Sequence, residues 1–126
     1  IYQLKPLNIY DGAVRFRRGM YKKGTFHCLS FHIRKHLPIG KGGMILTDSW
    51  DAYSWFKVAR YEGRHQQTLY RNDEFNMIGW NMYLTPEQAA KGLELFEKLS
   101  DYNDDQDSSK TCRDLSKFKI YEEANR

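Results

Sequence analysis

The chain has 126 residues, of which 40% are hydrophobic and 15% aromatic, enough for one hydrophobic core rather than two. A charged fraction of 29% and a mean hydropathy of −0.78 go with the lack of any apolar run near the roughly 20 residues that span a bilayer, which excludes a membrane-spanning helix. The net charge of +4 is modest and comes partly from Arg15, Arg17, Arg18, Lys22 and Lys23, a cluster suited to an anionic partner or to a solvated loop.

The opening residues, IYQLKP, lack the basic-then-apolar order of a signal peptide and do not begin with Met, so upstream sequence is expected to be missing or removed. Residues 6–11 (PLNIYD) read as a buried strand that ends on an acid, as strands emptying into an active-site crevice do. Residues 14–24 are basic and Gly-punctuated and read as a loop; residues 25–31 (TFHCLSF) read as a strand. Lys35 follows in an irregular segment that Pro38 and Gly40 keep from becoming a long helix. Gly42 and Gly43 open a compact apolar run, residues 44–47, read as another buried strand.

Asp48 and Ser49 offer N-cap chemistry to a helix over residues 50–61, with Trp55, Phe56 and Ala59 as its apolar stripe and Gly63 as its stop. Residues 66–77 read as a long loop. Thr85, Pro86, Glu87 and Gln88 then predict a capped helix whose apolar face is Ala89, Ala90, Leu93, Leu95, Phe96 and Leu99. Residues 101–110 are acidic and Ser-rich and predict a flexible connection, after which Leu115, Phe118, Ile120 and Tyr121 are available to dock the last segment.

Two cysteines, Cys28 and Cys112, stand far apart with no CxxC spacing, which predicts a reducing cytoplasm rather than a disulfide framework. His27, His32 and His36 beside Cys28 fit no standard zinc spacing, so no metal site is expected. Trp50, Trp55 and Trp80 are read as core or interface residues. Arg60 and Arg64 are read as dipole or surface groups, with a substrate carboxylate or diphosphate as the alternative.

The chemistry concentrates at SFHIRK, residues 30–35. A hydroxyl and an amine stand there at the exit of an apolar strand, followed by glycines at 40, 42 and 43. A desolvated lysine loses its charge more readily, and a neutral amine forms a Schiff base with an aldehyde. The hydroxyl and open backbone N–H groups suit a phosphate, and glycines let the backbone approach a flat ring. Asp11, ending the preceding strand, can hold a protonated ring nitrogen. By itself this pattern also fits an ordinary surface lysine.

The order of the pieces narrows that choice. IYDGA (9–13), GTFHCLSFHIRKHLPIGKGGMILTD (24–48), ARYEGR (59–64) and IGWNMYLTPEQAAKGLELFEKL (78–99) resemble the DegT/StrS-type aminotransferases. These are fold-type I pyridoxal 5′-phosphate enzymes that aminate keto-sugars attached to nucleotides. The resemblance implies an α/β chain: residues 1–100 would be the lysine-bearing half of the large domain, with mostly parallel strands covered by helices. Residues 101–126 would be an acidic linker and C-terminal tail. Lys35 matches the lysine that holds the cofactor and serves as general base; Asp11 matches the carboxylate on the pyridine nitrogen; Ser30 matches a hydroxyl on the cofactor phosphate. Asn81 matches an Asn that reaches the phosphate in a neighbouring subunit's site, which implies a homodimer with shared active sites.

Glutamate is the expected amino donor and a nucleotide-linked keto-sugar the expected acceptor. Val14 stands where the family usually has Gln or His, and Tyr83 where a basic residue is common. The family's Gly-rich phosphate turn, ring-stacking aromatic and small domain have no counterpart in these residues. Two other readings stand beside this one: the resemblance also allows a truncated or inactive subunit or scaffold of the same fold, and the residues allow a nucleic-acid-binding module built on residues 15–23 with Tyr10, Phe16 and Tyr21.

Overall fold

A computed structural model describes residues 1–106 and 112–122. Four short strands, β1 (Tyr2–Leu4), β2 (Ile9–Asp11), β3 (Phe26–Ser30) and β4 (Gly43–Leu46), form one sheet in the order β1-β2-β3-β4. Only β2 and β3 run parallel; β1 with β2 and β3 with β4 are antiparallel. The expectation of mostly parallel strands is therefore corrected. Residues 12–25 are long enough to carry the chain back for a parallel return, whereas the turn after β1 simply reverses it.

Strand alternation assigns each side chain to a face. Asp11 pairs with Cys28, Cys28 with Ile45 and Ser30 with Gly43, so Asp11, Cys28, Ser30 and Ile45 share one face with Phe26. Tyr10, His27, Leu29, Met44 and Leu46 share the other. The core lies on this second face: Leu29, Phe31, Leu37 and Ile39 are buried, with Phe16, Met20, Leu46, Leu95 and Leu99 packed against them. Residues 44–47 were expected as a buried strand, but Met44 and Ile45 of β4 are about half exposed, at 51% and 43%. As an edge strand that pairs, among the described residues, with β3 alone, β4 keeps its apolar character without the burial.

The two longer helices sit on opposite sides of the sheet. Helix α1 (Trp50–Ala59) is capped by Ser49, whose hydroxyl accepts from the Ala52 N–H, and Phe56 meets Phe26 edge-on. Asp48 was expected to share the capping; instead it accepts from the Tyr21 hydroxyl and the Gly24 N–H. The helix gives way at Arg60, and Gly63, with φ +77°, donates its N–H back to the Val58 carbonyl. Residues 66–77 form a loop containing one 3₁₀ turn, Tyr70–Asn72.

Helix α2 (Pro86–Glu97) starts as its sequence predicts. Thr85 and Gln88 exchange hydrogen bonds in a capping box, and Pro86 opens the first turn. Leu95 and Leu99 reach the core, while Leu93 and Phe96 stay more than half exposed. Trp50, Trp55 and Trp80, read as core or interface, all lie at the surface. The last described element, α3 (Lys119–Glu122), follows a 3₁₀ turn at Leu115–Lys117. Leu115, Ile120 and Tyr121 are exposed there, and Phe118 is partly buried.

Candidate functional site

β3 carries the chain directly into the segment that holds Lys35. The Gly40 N–H donates to the Phe31 carbonyl at 3.0 Å and the Phe31 N–H to the Gly42 carbonyl at 2.9 Å, so residues 32–39 are pinched off as a closed loop. Phe31, Leu37 and Ile39 anchor that loop in the core, leaving Lys35 between fixed ends on a turn closed by its own N–H to the His32 carbonyl at 2.8 Å. Lys35 is half-buried, and its amine has no hydrogen-bond or ion-pair partner among the described residues. Gly42, at φ +97°, lies where a Cβ would come within 2.7 Å of Leu84 Cδ2; one on Gly43 would come within 2.3 Å of the Leu29 carbonyl oxygen. The close approach that these glycines permit is thus to the protein itself, and it sets the return into β4.

Asp11 and Ser30 stand at the C-terminal ends of the parallel pair β2 and β3, on the same face of the sheet. This is the end at which parallel strands open a crevice to ligands. Asp11 Oδ1 accepts the Ala13 N–H at 2.9 Å, which leaves the other oxygen available. Ser30 Oγ accepts the His32 N–H at 3.3 Å, which leaves its hydroxyl proton free to donate. Between them on that face lies Cys28, whose thiol is pushed up by burial and, to a smaller degree, by the Asp11 charge.

The loops after β2 and β3 are joined directly. His36 Nε2–H donates to the Val14 carbonyl at 3.3 Å, tying the neighbour of Lys35 to the segment three residues past Asp11. Sequence alone does not reveal that contact, because Val14 takes part through its backbone carbonyl rather than its side chain. Cys28 was missed as well, although strand alternation from Ser30 already points to it. Asn81 is not brought to these residues. It forms a bridge with Tyr61 beyond the end of α1, and its Nδ2 donates to Glu62 Oε1 at 2.8 Å.

The basic cluster has internal partners. Arg15 makes a two-pronged pair with Asp105 at 2.7 and 2.5 Å, Arg18 meets Asp101 at 3.2 Å, and Arg17 donates to the Tyr102 hydroxyl at 2.8 Å. Residues 101–106, expected as part of a flexible connection, thus lie along the loop after β2, held also by the Gln106 N–H on the Val14 carbonyl. Residues 107–110 of that expected connection lie outside the described residues, as do 123–126 of the tail. Among the described residues no group of His, Cys, Asp or Glu is arranged to hold a metal ion, and no helix is long and apolar enough to cross a membrane.

The sequence model of the DegT/DnrJ/EryC1/StrS aminotransferase family matches residues 12–114. The chain belongs to that family. The match starts at Gly12, one residue after Asp11, and includes Ser30, Lys35 and Asn81. Among solved structures, AtS13 from Actinomadura melliaura superposes with a TM-score of 0.64 at 24% identity, over 76% of this chain and 28% of that one. Helicobacter pylori PseC, an aminotransferase involved in the biosynthesis of pseudoaminic acid, superposes with a TM-score of 0.61 at 23% identity, over 71% of this chain and 25% of its own. Both likenesses are of fold, and the chain spans about a quarter of either structure's length. No curated protein matches the chain.

Proposed function

We propose that the chain is the lysine-bearing part of a cytoplasmic pyridoxal 5′-phosphate aminotransferase, which moves an amino group from a donor such as glutamate to a nucleotide-linked keto-sugar. Residues 1–100 act as half of its large domain, and residues 101–126 as the linker and tail. The observation that carries this reading is the shared mouth of β2 and β3. Asp11 and Ser30 face one way there with bonding capacity to spare, and the Lys35 loop is clamped to the loop after Asp11 by His36.

Asp11 and Ser30 offer what the two polar ends of the cofactor call for, a free carboxylate oxygen and a free hydroxyl proton. When bound, pyridoxal phosphate supplies an electron sink that makes the donor's α-proton removable. Asp11 would hold the ring nitrogen protonated through its free carboxylate oxygen, and Ser30 would donate its hydroxyl proton to the phosphate. Lys35, on a loop with fixed ends, would hold the cofactor and carry the proton to and from the donor α-carbon. Asn81 is assigned a role at a second copy's phosphate, in a homodimer with shared sites, on the resemblance alone.

The test is to incubate the full chain with pyridoxal phosphate, reduce with borohydride and map the modified peptide by mass spectrometry. Attachment at Lys35, lost in Lys35→Ala, is the expected result. Attachment that survives Lys35→Ala sinks the assignment. A folded chain that takes up no cofactor at all favours an inactive subunit or scaffold, or a chain that needs further sequence to complete its pocket.

A further inference from the structure

The loop that carries Lys35 is anchored at its ends but not along its outer half. Phe31, Leu37 and Ile39 are buried, whereas His32, Ile33 and Arg34 are exposed. The backbone N–H groups of His32, Arg34 and Lys35 donate to Ser30 Oγ, His32 Nδ1 and the His32 carbonyl, so all three are spent within residues 30–35. These bonds shape the turn without referring it to any other segment. At the far end, Ile39 rests on α2: a Cβ on Gly92 would lie 2.7 Å from Ile39 Cδ1, and Lys91 Nζ donates to the Ile39 carbonyl at 3.4 Å. That support is four residues past Lys35. His36 is the immediate neighbour, and its half-buried ring reaches across to the Val14 carbonyl at 3.3 Å.

That carbonyl is a firm point of reference. Its second lone pair accepts the Gln106 N–H at 2.9 Å. The flanking residues are held too. The Arg15 N–H donates to the Gly12 carbonyl at 2.9 Å, the Arg15 guanidinium pairs with Asp105, and Asn103 Nδ2 donates to the Phe16 carbonyl at 2.7 Å. Just upstream, the Ala13 N–H donates to Asp11 Oδ1 at 2.9 Å, so the turn that presents Val14 also presents Asp11.

We propose that His36 is a positioning residue, which sets the Lys35 amine relative to Asp11 through the Val14 carbonyl. The inference rests on the reading of Lys35 as the lysine that holds the cofactor. Two groups that meet one rigid molecule must be referenced to each other, and a misplacement of about 1 Å costs on the order of a hundredfold in rate. A bond from the adjacent residue supplies that reference and leaves the Lys35 amine itself unengaged.

The experiment treats the full chain with pyridoxal phosphate and borohydride, and separately with acetic anhydride, and compares Lys35 with the exposed Lys119. His36→Leu should lower pyridoxal phosphate labelling of Lys35 at least about tenfold and leave its acetylation within about twofold, because the amine stays accessible but loses its alignment. His36→Gln, which keeps an N–H at similar reach, should restore most of the labelling. Ser49→Ala, which removes the cap of α1, should leave it unchanged. Unchanged Lys35 labelling in His36→Leu overturns the positioning role, as does an equal fall in His36→Gln or Ser49→Ala, or a parallel fall in acetylation. Wild-type labelling at Lys119 in place of Lys35 instead sinks the reading of Lys35, and the inference falls with it. Circular dichroism checks that each variant folds. If His36→Leu does not, NMR of the wild type decides: a neutral His36 ring protonated at Nε2 is expected, and one protonated at Nδ1 overturns the proposal.

Discussion

At the scale of single residues, Gly12 and His27 behave as one unit. His27 is 1% exposed, and a Cβ on Gly12 would lie 2.3 Å from its Nε2. Gly12→Ala should therefore destabilise the fold by roughly 1–3 kcal/mol through overpacking, measured by denaturant unfolding. A loss of under a few tenths would mean that the imidazole can move aside. Neither residue's role was legible in sequence, because IYDGA and TFHC reveal no contact between positions so far apart. Cys28 gives a second outcome at this scale. Burial holds its thiol protonated while Cys112 is exposed, so iodoacetamide should label Cys112 first and Cys28 slowly, as counted by mass spectrometry.

At the scale of elements, local chemistry carried most of the prediction. Thr85, Pro86 and Gln88 define the start of α2 within the chain itself, since a cap satisfies N–H groups one turn away. Thr85→Ala should cost about 1 kcal/mol, again by unfolding. β4 shows the limit of such reasoning, because its apolar run says nothing about whether a further strand covers it. Residues 101–106 show another. Their acidity reads as a solvated connection until the fold sets them against Arg15, Arg17 and Arg18. Arg15→Gln should loosen this segment, seen as faster amide exchange at Gln106, whose N–H bonds Val14. Unchanged exchange would mean that backbone contacts alone hold it.

At the scale of the whole molecule, the core is small, and stability should depend visibly on pH. Desolvation, with smaller contributions from Arg15 and the N-terminal charge, pushes the His27 pKa below its ordinary 6.5. The folded imidazole therefore stays neutral while the unfolded one takes a proton, so the unfolded state binds more protons below about 6.5. Stability is then fully present above that value and declines as pH falls from it towards the depressed folded pKa. A second decline belongs to Asp105 and Asp73, held below their ordinary 3.8 by hydrogen bonds from Arg15 and His65, and it comes at more acid pH. Thermal melts across pH 4 to 8 should show the first decline near pH 6 and lose it in His27→Leu. A first decline that persists in that variant would place its source elsewhere.

The sequence by itself determined the α/β elements, the start of α2, the irregular Lys35 segment and the family, because each rests on neighbours within a turn or on an ordered run of residues. Only the tertiary structure decided the mixed pairing of the sheet, the exposed edge at β4 and the contact of His36 with Val14. It also decided the internal partners of the basic cluster and the His65–Asp73 pair. All of these depend on which segments meet across loops, and a loop's composition leaves its closure free until packing of Phe31, Leu37 and Ile39 fixes it.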